Sequence, residues 1–351
     1  MDRIEVIHLD AWVERFLQMH GRMAHGVFPG LQSPQWKRAT DVVRPEQSPE
    51  FLLAEWEQVV QAQGIESLED YLAASRIGRG QALGRSGREE GWRFFEAYRG
   101  ELDRDGCREY VDLVRDARKI IEQMKIRLPY RAVIVDEAQD MSPEALKLLR
   151  AMVPRGPNDL FIVGDAHQRI YRYRAILGQC GIDVRGRGYR LRVNYRTTEE
   201  IRRMAVSLLK DRRIDDLDGG VDNHSGYFSL TRGDRPEIRR FDSPAAEQEG
   251  AVLWIRDLMA RGAAAESICL AARTTQLFTA FRDHLQAQGI QVFEILGEAE
   301  ATETAERALL YVALTRARRS SYLSAHGELS PFLVELAGDG SASIEAGKDQ
   351  M

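Results

Sequence analysis

The chain has 351 residues, long enough for two domains, and its 44% apolar and 29% charged residues are those of an ordinary soluble protein. Its net charge of −5 excludes a uniformly basic nucleic-acid coat but is compatible with a local basic groove. The three separated cysteines, Cys107, Cys180 and Cys269, indicate neither a disulfide framework nor a zinc site, and the sequence has no apolar run of membrane-spanning length, so a cytoplasmic protein without membrane contact is expected.

The first third of the chain is predicted to be mainly helical. Ile4–Leu9 alternates enough to be a short strand, and Trp12–Met19 has helical spacing. The segment from His20 to Pro49 is predicted to be loop with a little helix. Later helical patterns are found at residues 51–60, 66–76, 92–102 and 110–124.

Two charged features of this helical region receive a structural interpretation. Residues 77–88 are rich in Gly and Arg, but no strand precedes them and no Lys follows, so a flexible surface connection is favoured over a phosphate-cradling loop. Asp112, Arg115, Asp116 and Lys119 follow a helical spacing that predicts a solvated face.

Polar residues follow three short apolar segments at similar places. Ala132–Val135 is followed at once by Asp136 and Glu137, which predicts a buried parallel strand ending at a ligand-facing edge. Leu160–Val163 is followed by a Gly-Asp pair. A third segment, Leu191–Val193, is followed by Asn-Tyr-Arg. Three strands that deliver acids and arginine to one edge predict a site for a metal ion and phosphate.

The second half of the chain is predicted to contain a linker and another α/β unit. Residues 211–235 form the predicted linker. Helices are predicted at residues 245–260, 274–288 and 306–318, and strands at 267–271 and 320–323. The last residues, 336–351, are predicted to be a disordered tail.

Four motifs in a fixed order resemble those of the superfamily 1 DNA helicases of the UvrD/Rep type. They are Asp136–Asp140, Gly164–Tyr171, Asn194–Arg196 and Tyr311–Arg318. The resemblance covers most of residues 45–335. It implies an α/β fold with two RecA-like, P-loop NTPase-type parallel-sheet domains, both incomplete, with helical insertions. The first would occupy residues 1–210, with an insertion at about 45–125, and the second residues 236–335.

The resemblance also implies a role for each acid and arginine. Asp136 would hold the Mg²⁺ of a bound ATP, and Glu137 would orient and deprotonate the attacking water. Gln168 would sit near the γ-phosphate, and Arg196 and Arg316 would contact the phosphates, one from each motor domain. Such an arrangement suits phosphoryl transfer, which is largely positioning and charge neutralisation.

A nucleic-acid platform is predicted just after the second motif. Tyr171, Tyr173 and Arg174 lie in a run that alternates aromatic rings with guanidinium groups, which favours stacking on single-stranded or partially duplex DNA. By resemblance, Tyr173 occupies a position where many of these helicases have Trp. Arginines at 185, 187, 190 and 192 add a local basic stripe.

Two segments of the family pattern are absent from the sequence. It contains no Gly-Lys-Ser/Thr, and its only Gly-Lys pair, Gly347–Lys348, is followed by Asp349. The resemblance therefore implies that the chain starts after the phosphate-binding loop. The family's Thr-x-His-x-x-Lys-Gly-Leu-Glu segment is also missing between Gln288 and Glu306.

Three hypotheses follow from these absences. The chain is a truncated or internally deleted ATP-dependent 3′–5′ DNA helicase that is inactive alone, a non-catalytic module that binds single-stranded DNA or a partner, or one half of a split ATPase whose loop comes from a second chain. The retained catalytic residues favour the first hypothesis.

Overall fold

The computed structural model describes residues 4–22, 25–76, 79, 81–169, 175–210, 212, 214–217, 219–222, 226–293, 303–338 and 344–346. These residues form a mixed α/β structure with small parallel sheets. The platform residues Tyr171, Tyr173 and Arg174 lie outside the described residues, so their predicted role stays a prediction.

Helices make up most of the regular structure. They are α1 (Leu9–Met19), α2 (Pro34–Val43), α3 (Pro49–Glu55), α4 (Leu68–Ala73), α5 (Arg85–Arg104), α6 (Tyr110–Gln123), α7 (Pro143–Ala151), α8 (Glu199–Ser207), α9 (Pro244–Ala260), α10 (Thr275–Ala287), α11 (Glu303–Arg316) and α12 (Pro331–Gly338). Among the described helices, none combines the length and apolar character needed to cross a membrane.

The strands are short. They are β1 (His25–Val27), β2 (Cys107–Glu109), β3 (Val133–Val135), β4 (Leu160–Ile162), β5 (Val193–Thr198), β6 (Ile214–Asp215), β7 (Val221–Asp222), β8 (Phe228–Thr231), β9 (Glu237–Phe241), β10 (Tyr322–His326) and β11 (Ile344–Ala346). Within the described residues, β9 is the centre of a three-stranded parallel sheet between β10 and β11. Strand β11 lies in the predicted tail, and the sequence pattern did not predict it.

A Ser-Pro pair begins several helices. The hydroxyl groups of Ser33, Ser48 and Ser142 accept hydrogen bonds from the backbone N–H three residues later, at 3.2, 3.2 and 3.1 Å. A proline follows each serine, where its missing N–H costs nothing. The predicted N-cap at Ser142 is therefore confirmed.

The predicted alignment of three strands is only partly correct. Strands β3 and β4 pair in parallel, with Val133 opposite Leu160 and Val135 opposite Ile162. Strand β5, which contains the third motif, pairs with β8 instead. Apolar runs predict that a strand forms, but hydrogen bonding to a particular neighbour decides which sheet it joins.

Two other predicted strands are wrong. Residues 4–8 have no regular structure before α1, and Ile4 and Val6 are exposed. Residues 268–271 follow a short 3₁₀ turn and also lie outside any strand. In both segments the apolar alternation is present, but no described strand pairs with the backbone, and a strand is stable only with such a partner.

The chain divides into two compact units. Unit 1 comprises Met1–Ala166, Tyr171–Arg187 and Asp215–Gly220. One of its cores joins α1, α6 and α7 to β3, and a second, aromatic-rich core lies among α2 to α5. Unit 2 comprises His167–Ile170, Gly188–Ile214 and Val221–Met351, and its larger core joins α8, α11 and α12.

A buried polar network in unit 1 corrects the predicted solvated face of α6. Asp112 and Arg115 are buried and form an ion pair at 2.5 Å. The Gln61 amide donates to Glu109 at 2.5 Å, and Trp56 Nε1 donates to the same carboxylate at 2.8 Å. Trp56 and Gln61 bound a π-helical turn. Residues five apart diverge by roughly 140° on an α-helix, so the wider turn allows both to reach one carboxylate.

The arginines of residues 77–88 are also structural. Arg79 Nε donates to the buried Glu55 carboxylate at 3.0 Å, and Arg88 Nη1 donates to the carbonyl of Tyr71 at 2.8 Å. The interpretation as a flexible surface connection is therefore wrong for these two side chains. Hydrogen bonds to groups distant in sequence hold them, and the local composition gave no sign of those partners.

Candidate nucleotide site

Two carboxylates stand where β3 ends. The parallel ladder continues beyond the strand, because Val163 N–H donates to Val135 O at 2.8 Å and Ala138 N–H donates to Val163 O at 3.0 Å. The chain turns between these bonds, leaving the side chains of Asp136 and Glu137 exposed. A strand buried at Val135 thus delivers two acids to the carboxyl edge, as predicted.

The backbone of Glu137 has an uncommon conformation. Its φ is +52° and its ψ is 40°, in the left-handed region. The Asp136 Oδ1 atom accepts a hydrogen bond from the Glu137 N–H at 2.9 Å and so supports the turn. For a residue with a Cβ this conformation costs about 1–2 kcal/mol, and such strain is concentrated at functional sites.

A pair of substitutions measures this strain. Glu137→Gly is expected to be more stable than Glu137→Ala by about 1 kcal/mol, because only glycine adopts a positive φ without a Cβ clash. Both variants lose the carboxylate, so the difference isolates the backbone. Urea unfolding monitored by circular dichroism provides the measurement. Equal midpoints would show that the turn is unstrained.

Gln139 organises this turn, and sequence reasoning missed it as a functional residue. Its Nε2 donates to Glu137 Oε2 at 2.7 Å, and its Oε1 accepts from the Asp165 N–H at 3.0 Å. The buried amide therefore connects the carboxylate after β3 to the loop after β4. A Cβ on Gly164 would lie 3.0 Å from Gln139 Oε1, so glycine permits the close approach. The sequence offered only the recurrence of Gln within the acidic motif.

Gln168 and Arg316 belong to unit 2. Gln168 is half-buried in a 3₁₀ turn, and the neighbouring His167 ring lies 6.5 Å from the Tyr311 ring, measured between centroids. Tyr311 is part of α11, whose last turn carries the exposed Arg316. The structure thus places the Gln168 turn against the helix that carries Arg316.

Arg196 is displayed by an irregular strand. The Asn194 Oδ1 atom accepts hydrogen bonds from the N–H groups of Arg196 and Thr197, at 2.8 and 3.2 Å. The pairing of β5 with β8 shifts register between Asn194 and Thr198. This irregularity leaves Arg196 exposed ahead of α8, which packs against α11.

The predicted site residues are therefore divided between the two units. Asp136 and Glu137 share one turn of unit 1, whereas Gln168, Arg196 and Arg316 belong to unit 2. Within the described residues, no group of three or more His, Cys, Asp and Glu side chains is arranged to hold a metal ion. A single exposed carboxylate fits Mg²⁺, which takes one or two protein carboxylates and completes its shell with phosphates and water.

Comparison with known proteins identifies the class. Residues 52–176, which include the helical core and the acidic turn after β3, match the UvrD/REP helicase N-terminal domain. The chain is related to the UvrD-like superfamily 1 helicases.

Individual relatives agree with this class. The chain is 34% identical to DNA helicase IV of Escherichia coli over 79 residues, which cover 22% of the chain and 12% of that protein. It is 28% identical to the mitochondrial ATP-dependent DNA helicase HMI1 of Saccharomyces cerevisiae over 211 residues, 53% of the chain and 29% of that protein. It is 33% identical to an ATP-dependent helicase/nuclease of Lacticaseibacillus casei over 92 residues, 23% of the chain and 8% of that protein. The matches thus span less than a third of each relative.

Proposed function

We propose that this chain provides the water-activating and phosphate-sensing groups of a UvrD-like, ATP-dependent 3′–5′ DNA helicase. The observation that carries the proposal is the strained turn after β3, in which Asp136 and Glu137 stand side by side and Gln139 holds the Glu137 carboxylate at 2.7 Å. Asp136 would hold the Mg²⁺ of ATP, which neutralises phosphate charge. Glu137 would then orient the attacking water and accept its proton.

Three residues of unit 2 would complete the response to nucleotide. Arg196 and Arg316 are exposed cations that would contact the phosphates, and Gln168 would report the γ-phosphate to the DNA-binding residues Tyr171, Tyr173 and Arg174. The underlying fold would be two incomplete RecA-like domains, at residues 1–210 and 236–335, joined by a linker at 211–235. The substrate would be single-stranded or partially duplex DNA.

The phosphate-binding loop would come from outside these 351 residues, from a second chain in the split-enzyme form of the proposal. The sequence contains no Gly-Lys-Ser/Thr, so it lacks both the lysine and the backbone amides that cradle the β-phosphate. The acids alone can orient Mg²⁺ and water but cannot hold the triphosphate in line for attack.

The purified chain is therefore expected to hydrolyse ATP at no more than the background rate, with Mg²⁺ and with or without single-stranded DNA. Steady-state phosphate release measures this, with Glu137→Gln as the matched control because it keeps the side-chain shape and removes the base. A DNA-stimulated rate that Glu137→Gln abolishes would contradict the prediction. It would also show that the nucleotide site is complete in this chain.

DNA binding is tested separately by fluorescence anisotropy with oligo(dT) over a salt series. Salt-sensitive binding that weakens in Tyr173→Ala supports the helicase platform. Such binding without any nucleotide affinity would favour the alternative function, a non-catalytic module that binds single-stranded DNA. Absence of binding at low salt would contradict both functions.

A further inference from the structure

An exposed apolar surface on unit 2 takes no part in the nucleotide site. We name it the Tyr189 surface, and it comprises Tyr189, Arg190, Leu191, Arg192, Phe228 and Leu230. The exposed fractions are 87% for Tyr189, 76% for Leu191, 58% for Leu230 and 46% for Phe228. Large apolar side chains grouped at this exposure indicate an interaction surface.

Strand pairing brings its two segments together. Val193 of β5 lies opposite Phe228 of β8, and the Phe228 N–H donates to Arg192 O at 3.1 Å. Leu230 follows Phe228 by two residues and so faces the same side of the sheet. Ser229, between them, is buried, which shows that the opposite side of β8 faces the protein interior.

The charge of this surface selects its ligand. Residues 184–198 contain five arginines and no acid. The Arg192 guanidinium lies beside β8, with its Nη1 atom 3.5 Å from the position of a Cβ on Gly226. Arg190 forms an ion pair with Asp222 at 3.1 Å, yet 43% of its side chain stays exposed. An aromatic ring and apolar side chains flanked by guanidinium groups suit the bases and phosphates of a single strand.

We propose that the Tyr189 surface is a second binding site for single-stranded nucleic acid, in addition to the predicted platform at Tyr171 and Tyr173. The inference rests on the proposed function for the choice of DNA, but its residues and their exposure are independent of the nucleotide site. A base stacks on the Tyr189 ring beside Leu191, while Arg192 contacts the adjoining phosphate.

The test is binding of fluorescent oligo(dT) to the full chain, measured by anisotropy between low and moderate salt. Tyr189→Ala is expected to weaken binding about tenfold, whereas Tyr189→Phe retains the stacking face and most of the affinity. Arg192→Gln is expected to reduce the slope of log K against log salt concentration by about 0.7, the value for one released counterion on a single strand.

Two variants serve as matched controls. Phe293→Ala removes another highly exposed aromatic side chain, and Arg261→Gln removes an exposed arginine of α9's C-terminal end. Both should leave the affinity and the salt slope unchanged. Because Tyr189 is exposed, Tyr189→Ala should also retain the thermal unfolding midpoint of the unaltered chain.

The outcomes separate this inference from the proposed function. Loss of affinity in both Tyr189→Ala and Tyr173→Ala supports two sites. Loss in Tyr173→Ala alone overturns the Tyr189 surface and leaves the helicase platform in place. Loss in Tyr189→Ala alone supports the second site and removes the predicted platform. If the unaltered chain does not bind oligo(dT), the second site and the DNA-binding part of the proposed function both fail.

Discussion

Glu55→Ala is expected to lower the free energy of unfolding by about 3–5 kcal/mol, because it leaves buried cations without their partner. Glu55 is fully buried and accepts hydrogen bonds from Tyr71 Oη at 2.9 Å, Arg76 Nε at 2.6 Å and Arg79 Nε at 3.0 Å. Burial opposes ionisation of the carboxyl, but these hydrogen bonds outweigh it and hold the pKa of Glu55 below its ordinary value. One carboxylate therefore anchors α3 to the segment that follows α4.

Urea unfolding monitored by tryptophan fluorescence measures this loss, since Trp36, Trp56 and Trp92 are buried in the same core. Glu50→Ala is the matched control, because Glu50 lies on the exposed side of the same helix. It should change stability by less than about 0.5 kcal/mol. A Glu55→Ala variant within about 1 kcal/mol of the unaltered chain would show that the two arginines find other partners.

Glu109 is expected to make stability depend on pH in the opposite direction from a typical surface acid. Burial, followed by the negative charge of Asp112, raises the pKa of Glu109 to about 7, despite hydrogen bonds from Tyr98, Trp56 and Gln61. The folded chain therefore binds a proton more tightly than the unfolded chain does. Stability should fall as pH rises from about 4.5 to about 7 and then level off, a loss on the order of 2–3 kcal/mol.

Glu109→Gln isolates this contribution, because it keeps the side-chain volume and removes the titration. Arg115 and Asp112 remain charged in both proteins, so the difference between the two stability curves belongs to Glu109. Urea midpoints at pH 5, 6, 7 and 8 should show the variant gaining on the unaltered chain as pH rises. A constant difference over this range would show that Glu109 keeps an ordinary pKa.

Local patterns predicted much of the helical structure. The Ser-Pro pair before α7 gave a correct helix start, because capping depends on residues within one turn. The acidic turn after β3 was also predicted correctly, since a short apolar run followed by carboxylates is a local feature of parallel strands. The order of four motifs then indicated the helicase class, which the family match at residues 52–176 confirms.

The sequence by itself thus determined most of the helices, the acids after β3 and the class of protein, because each depends on neighbouring residues or on motif order. Tertiary structure alone decided that β5 pairs with β8, that Asp112 and Arg115 are buried and that Gln139 joins Glu137 to the Asp165 loop. These features depend on hydrogen bonds and burial between residues distant in the chain. Such partners are chosen by the folded packing, and no local pattern records them.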